Sequence, residues 1–420
     1  MSTHGVGQRS TFDGRVRFLT ELGRRLHIVG VSASRLEGAV RSVAMSIGVR
    51  VEVWSTPTGL LLSLSDAERS DATQETRVLR LEPGNIQLGA LAKLDAIAEQ
   101  VVKGTMSIDE AWVAMAALDQ PFTVKLQVAT VAAFGLAAAS VAGLLSTAWI
   151  DVSVSAVIGL LIGWIAILSG TRPHLAAAFE AVAALIATSL ATAFAHFVAP
   201  LTLQTVIVSA LIVLMPGLTL TTAVAELASQ QLVTGTTRFA GAMTVLLKLT
   251  FGSVAASQVM VVLGWTPMPG TPETLPQWVE IVSTVGAAFS FAVLFRASRR
   301  DIPLVMASAI LGYIFVRLGS GWLGPVANGT FAGSVFFSSL MMAALANLYG
   351  RWAGRPGQLV RVPGIMLLVP GSVGFRALGF VMERDYALGF DTLVAVLSAI
   401  LALVAGLLFG SLLVPPRRYL

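Results

Sequence analysis

Ten apolar stretches, each long enough to cross about 30 Å of hydrocarbon at about 1.5 Å per residue, fill the chain from Pro121 onward. No other feature restricts the fold as much. Hydrocarbon offers no water to backbone N–H and C=O groups, so such stretches must be helices packed on one another. The spans read near 123–146, 151–169, 174–198, 201–222 and 237–264, then 278–296, 302–319, 325–348, 360–382 and 388–413. Composition agrees, since 55% of the 420 residues are hydrophobic and 12% are charged, against about 25% charged in an ordinary soluble domain. A soluble protein is excluded.

The charge that exists is unevenly placed. Residues 1–120 hold 13 of the 28 Lys and Arg and 14 of the 23 Asp and Glu, so this part reads as ordinary soluble protein. Val16, Leu19, Leu22, Leu26 and Val29 recur at three- and four-residue steps, which predicts an amphipathic helix over 14–30 closed by Gly30. A second helix is predicted over 34–47, with Ser34-Arg35-Leu36-Glu37 read as its capping box. Runs at 49–55, 60–66 and 77–82 predict three strands, the first two joined by a turn at Thr56-Pro57-Thr58-Gly59. Helical period returns at 87–103 and 107–119, the latter opened by the capping box Ser107-Ile108-Asp109-Glu110. Arg15, Arg17, Glu21, Arg24 and Arg25 break up any apolar leader, so this end is expected to stay in the cytoplasm. His27, alone beside two arginines, is read as a filler with no chemical role.

The last five span starts trail the first five by about 150 residues, which suggests an internal duplication. LMPGLT (214–219) matches LVPGSV (368–373), and Pro173 and Pro325 open the third span of each set. Five spans per half would force the second half to run through the bilayer with opposite polarity to the first, as in inverted-repeat transporters. The expected domains are therefore 1–120, a cytoplasmic α+β domain; 121–265, a first five-helix repeat; 266–277, an extracytoplasmic linker; and 278–420, a second five-helix repeat. With the N-terminus inside, Arg172, Arg238, Arg296, Arg299, Arg300, Arg351, Arg355, Arg361, Arg417 and Arg418 fall on the cytoplasmic side. Arg384 is left outside and Arg317 near an outer end. That placement accounts for the net charge of +5, and nucleic-acid binding is not expected.

Proline removes a backbone donor and glycine loosens a helix, so Pro216-Gly217 and Pro370-Gly371 should interrupt the fourth and ninth spans. The freed backbone groups must find protein, water or substrate. A simple kink is the plain alternative, but two breaks at matching positions favour a paired site near the midplane. Thr219, Thr221, Thr222 and Glu226 follow the first break, and Ser372 and Arg376 the second. Arg376 either holds a substrate carboxylate or pairs with Glu180 or Glu226. Glu180 and Lys248 are further intramembrane candidates, a carboxylate there being the ordinary carrier of a coupled proton, while Lys248 is equally suited to an interhelical carbonyl. Asn328 and Thr330 begin the eighth span and offer neutral hydrogen-bonding groups, or caps.

Gly159/Gly163, Gly329/Gly333 and Gly406/Gly410 are spaced for close helix packing. Gly319-Ser320-Gly321-Trp322-Leu323-Gly324 matches a dinucleotide fingerprint in form but lacks the preceding strand. No Walker loop, GxSxG elbow or HExxH is present, His174 and His196 are isolated, and there is no cysteine. Neither an enzyme, an ATP-driven pump nor a metal or other cofactor is expected.

The chain resembles the bacterial threonine/serine exporter family of the ThrE type over nearly its whole length from about residue 16. The resemblance rests on Arg35-Leu36-Glu37, on Ser55-Thr56-Pro57-Thr58-Gly59 before an apolar strand, and on Gly84-Asn85-Ile86-Gln87-Leu88 leading into a helix. In the membrane part it rests on Pro216-Gly217 with the stretch to Glu226, where Thr222 stands for the usual Asn and Glu226 for the usual Asp. Val369-Pro370-Gly371-Ser372 and Arg376 carry it in the second half. The resemblance implies proton-driven export of small hydrophilic metabolites, threonine and serine in one branch and dicarboxylates such as succinate in split relatives. The expectation is thus a polytopic α-helical protein of the bacterial inner membrane with both termini cytoplasmic, whose partners are its substrate, protons and lipids, with a homo-oligomer allowed. A sensor or scaffold without transport is the alternative from another class. The expected site is Pro216, Gly217, Thr219, Thr222, Pro370, Gly371, Ser372 and Asn328, with Arg376 on a carboxylate and Glu226 or Glu180 on the amine or the proton; a dicarboxylate substrate would favour Lys248 facing the site as a further cation.

Overall fold

The structure is a computed structural model that describes residues 11–67, 74–118, 123–145, 148–270, 275–323, 331–368, 371–382 and 384–416. The N-terminal part opens with α1 (Phe12–Ile28) and α2 (Ala33–Ser46), followed by β1 (Val49–Thr56), β2 (Gly59–Asp66) and β3 (Glu75–Arg80), then α3 (Leu88–Val102) and α4 (Ile108–Ala116). The sheet is antiparallel in the order β1-β2-β3, with Val53 opposite Leu62 and Leu60 opposite Leu79. Strict alternation along β1 turns Val49, Val51 and Val53 inward and Arg50, Glu52 and Trp54 outward. Leu19, Leu22 and Leu26 of α1 meet Leu36 and Val40 of α2 and Leu60, Leu62 and Leu64 of β2 in one core.

Two cap expectations have different outcomes. Ser107 and Glu110 form a complete capping box at the start of α4. The box expected at Ser34 and Glu37 is absent, because α2 begins earlier, with Ser32 as its N-cap residue and without a side-chain cap bond. Glu37 is drawn away to the sheet, where its carboxylate accepts the Ser55 N–H at 3.0 Å. His27 is buried, and its Nε2 lies 3.1 Å from the Pro57 carbonyl and 3.2 Å from that of Glu82, an interior filler.

The remainder is helical: α5 (Val124–Leu144), α6 (Trp149–Ser169), α7 (Pro173–Phe197), α8 (Leu203–Ala210), α9 (Gly217–Ala228) and α10 (Leu232–Val262). They are followed by α11 (Gln277–Leu294), α12 (Ile302–Leu323), α13 (Phe331–Ala353), α14 (Gln358–Met366), α15 (Gly371–Met382) and α16 (Tyr386–Leu413). Among the described residues nine helical segments are long and apolar enough to cross a bilayer, or ten if the bent α8–α9 segment is one span. The chain is a multi-pass membrane protein with a small N-terminal sheet. Thr123 caps α5, Pro173 opens α7 where its missing N–H costs nothing, and Asp385 caps α16.

α7 packs on α10 and α13 on α16, while α5 contacts both α6 and α11 and so joins the first six helices to the last six. Gly159 and Gly163 let α6 lie directly on α5, and Gly406 and Gly410 let α16 lie on α13, as their spacing predicts. Gly329 falls outside the described residues. The main departure from the expected spans is the fourth, which stops at Ala210, passes through a single 3-10 turn at Ile212–Leu214 and restarts at Gly217 after a 53° bend. The second interruption separates α14 from α15; Pro370 lies outside the described residues.

The N-terminal core does not end at its own surface. Ala292 of α11, Val305 of α12, and Leu359 and Val362 of α14 are buried in it. Main-chain bonds add to this, with Leu88 N–H donating to Phe295 O at 2.9 Å and Gly89 N–H to Arg296 O at 3.2 Å.

Candidate functional site

The two breaks come together. Pro216 stands at the N-cap of α9, and Gly217 and Gly371 open α9 and α15. A Cβ built on Gly371 would lie 3.1 Å from both the N and Cα of Gly217 and 3.3 Å from Met215 Cβ. A side chain at Gly371 would force the two helix starts apart by a few tenths of an ångström, so glycine suits this close approach. Both helices thereby direct unpaired N-terminal N–H groups toward one locality, where the helix dipoles favour negative charge.

A cavity of about 260 Å³ lies there, lined by Gly217, Gly371 and Ser372 with Ile212, Phe291 and Tyr313. A second, of about 590 Å³, reaches from Thr219 and Thr222 to Glu180, Arg238 and Arg296, and its far wall is the loop Gly84-Asn85-Ile86-Gln87 of the N-terminal part. Met215, Leu218, Phe291 and Met366 line both cavities and so form the partition between them.

The ionisable candidates are dispersed. Glu226, nearly fully buried, accepts the Ala33 N–H at 3.4 Å and lies 3.0 Å from Arg238 Nε, whose N–H is not aligned along that line. Glu180 lies 3.4 Å from Lys248 Nζ, and that ammonium also donates to the Ala177 carbonyl at 2.9 Å. With Glu226 and Glu180 so engaged, neither pairs with Arg376, whose buried Nε has no hydrogen-bond partner. Of the two roles weighed for Arg376, the ion pair with either glutamate is thus absent. Thr222 donates to Leu218 O at 2.9 Å and Thr221 to Gly217 O at 3.2 Å, both within α9. Pro370 and Asn328 lie outside the described residues.

Several lining residues carried no functional reading in the sequence. Arg238 and Arg296 were placed only by topology, and Asn85 and Gln87 were noted only as part of a motif. Tyr313 donates to Glu280 at 2.6 Å, and Arg317 lies 3.4 Å from the same carboxylate. Asp151, fully buried at the start of α6, accepts the Thr202 N–H at 3.1 Å, with its other oxygen unpartnered. Sequence spacing could have flagged Asp151 and Glu280 as carboxylates in the first turns of spans, where they face helix dipoles. Among the described residues no group of three His, Cys, Asp or Glu could hold a metal ion.

Comparison with known proteins covers almost the whole chain. Residues 17–260 match the family described as "Putative threonine/serine exporter", and residues 280–413 match "Threonine/Serine exporter, ThrE". A Mycobacterium tuberculosis protein named "Probable threonine/serine exporter" is 26% identical over 443 residues, 99% of this chain and 80% of the relative. "Pheromone-regulated membrane protein 10" of Eremothecium gossypii is 23% identical over 374 residues, 86% of this chain and 49% of the relative. The protein of that name from Zygosaccharomyces rouxii is 22% identical over 372 residues, 86% of this chain and 37% of the relative. The chain therefore spans half or less of the length of these fungal relatives. No solved structure matches it.

Proposed function

The chain belongs to the threonine/serine exporter family, and from that premise we propose that it is a secondary active exporter of small hydrophilic metabolites, threonine or serine exchanged for protons. The observation that carries this reading is the meeting of Gly217 and Gly371 beside a cavity of about 260 Å³. Broken helices whose N-terminal ends converge inside a bundle form a ready site for a substrate carboxylate. The volume lies just below the range of about 300–1,000 Å³ typical of small-molecule pockets, as suits an amino acid.

In this reading Pro216, Gly217, Gly371 and Ser372 surround the substrate, and Arg376 engages its carboxylate. Thr219 and Thr222 line the approach. Glu180, in the wall of the larger cavity, takes the proton or the amine, with Lys248 holding it in place. Glu226 serves instead to dock the N-terminal part, because one oxygen accepts the Ala33 N–H and the other faces Arg238 in an ion pair.

The six elements α5–α10 and the six elements α11–α16 follow the same order, two of them short in each set, which supports a duplicated, inverted architecture. The arginine distribution supports a cytoplasmic N-terminal part in a bacterial inner membrane. The partition at Met215, Leu218, Phe291 and Met366 then separates the site from the cytoplasmic cavity, as alternating access requires.

Proteoliposomes loaded with labelled threonine should show efflux that collapses when the pH gradient is dissipated; efflux that continues unaltered removes proton coupling. Export of a dicarboxylate such as succinate is the second reading, favoured by Arg238 and Arg296 in the wall of the larger cavity. Competition between succinate and threonine in the same vesicles separates the two.

A further inference from the structure

Two arginines remain outside this reading. Arg35, in the first turn of α2, and Arg361, in α14, line one cavity of about 380 Å³. Neither is in an ion pair with a described carboxylate. Arg35 makes no side-chain hydrogen bond within the described residues, and burial holds its guanidinium below its ordinary pKa. Arg361 gives one bond, from Nη2 to Asn347 Oδ1 at 2.8 Å, and its buried Nε is unpartnered. Asn347 is fixed in turn by its own bond to the Val414 carbonyl at 2.7 Å, so Arg361 is held in place.

Taking charge out of water without a counter-charge is costly, and two like charges in one small cavity add repulsion. The remaining lining does not offset them. Its carboxylate, Glu226, is already committed to Arg238 and the Ala33 N–H. The hydroxyl-bearing residues are Ser32, Ser34, Thr221, Thr222, Ser229 and Ser411; the two threonines donate within α9, and the Ser32 side chain makes no cap bond. The N-terminal ends of α2 and α14, at Ser32 and Gln358, both reach this cavity and add partial positive charge.

One end of the cavity lies where helices finish. The cavity runs along α9 from Leu218 to Ser229 and along α16 from Val404 to Pro416, and so reaches the C-terminal ends of both helices. Helix ends are where the headgroup layer meets a membrane protein. Leu408, which lines the cavity, and the neighbouring Leu412 and Leu413 are exposed on the outer surface of the bundle. Basic pockets between helices at this depth suit phosphate-bearing headgroups.

We propose that Arg35 and Arg361 form a binding site for a phosphate oxyanion, supplied by an anionic phospholipid headgroup or by free phosphate, which bridges the N-terminal part to α14 and α16. The site adjoins the larger cavity, with which it shares Gly30, Ile86, Leu218 and Thr222, but it does not rest on the transport reading, because its test reads binding and not flux.

The full-length chain, delipidated in detergent, is titrated with short-chain phosphatidylglycerol, short-chain phosphatidylcholine and inorganic phosphate, and binding is followed by thermal stabilisation. Saturable stabilisation by phosphatidylglycerol alone identifies a lipid site; stabilisation by inorganic phosphate as well identifies a phosphate site open to water. In either case Arg35→Gln and Arg361→Gln should each weaken binding by about ten-fold or more. Arg361→Lys, which keeps the charge, should weaken it less, and it separates a lost contact from a lost fold if Arg361→Gln does not assemble. Stabilisation by phosphatidylcholine equal to that by phosphatidylglycerol overturns the proposal. So does the absence of a saturable response to either phosphate source, or affinity unchanged in both glutamine variants.

Discussion

A guanidinium inside a membrane-spanning segment is costly enough to need a partner or a task, and the structure gives Arg376 no carboxylate among the described residues. Arg376→Ala should therefore lower threonine efflux from proteoliposomes by about ten-fold or more while the protein still assembles. Arg376→Lys should recover part of it, since an ammonium keeps the charge but loses the planar fork; unaltered efflux from the alanine variant ends the carboxylate role. Asp301 and Arg355 show the opposite situation, a satisfied pair at 2.7 Å just outside the spans. Burial pushes the Asp301 carboxyl up, but hydrogen bonds from Arg355 and Ser298 outweigh it and hold the group below its ordinary value. A carboxyl depressed by folding contributes stability that is complete above its unfolded value of about 3.9 and is lost as pH falls through the lower folded value. In Arg355→Gln burial acts with less opposition, so acid unfolding should begin at higher pH and stability near neutrality should fall by about 1.5–3 kcal/mol. Thermal unfolding measured across that acid range checks both signs; an unmoved acid limb would show that the pair is not coupled to folding.

At the scale of elements, the loop at residues 84–87 joins the N-terminal part to the membrane cavity. Gly84 packs so closely on the His27 and Ile28 carbonyls that no side chain fits, and the loop is thereby held across the cavity with Asn85 and Gln87 in its wall. The chain has no cysteine, so Asn85→Cys introduces a single labelling site. A maleimide should react there, block efflux and be excluded by excess threonine; labelling without effect on efflux would place the loop off the pathway. Most elements were readable in advance, because a period of two in β1 and unbroken apolar runs from α5 to α16 are local signals. The path of the fourth span was less so: Pro216-Gly217 announced an interruption but not the 3-10 turn and 53° bend before it. Ser34 and Glu37 misled for a related reason, since a local capping pattern lost its glutamate to the Ser55 N–H, a tertiary partner no spacing rule sees.

For the molecule as a whole, the N-terminal part and the helical bundle share a core and are tied by the bond from Ala33 N–H to Glu226, which is itself ion-paired to Arg238 within the bundle. Glu226→Ala leaves Arg238 without its counter-charge and should cost about 3–5 kcal/mol, read as faster proteolysis between α4 and α5. Efflux lost with no change in proteolysis would instead make Glu226 a transport residue. The Glu226–Ala33 bond links positions 193 apart in sequence, which is why the candidate residues were visible one by one but their partners were not. Periodicity reports which face of a helix is apolar and is silent on which distant face it meets. The bonds from Leu88 and Gly89 to the Phe295 and Arg296 carbonyls carry a mechanical consequence. They couple the start of α3 to the corner between α11 and α12, so a tilt of that corner would carry the sheet and its helices along, with the N-terminal part as its lever arm.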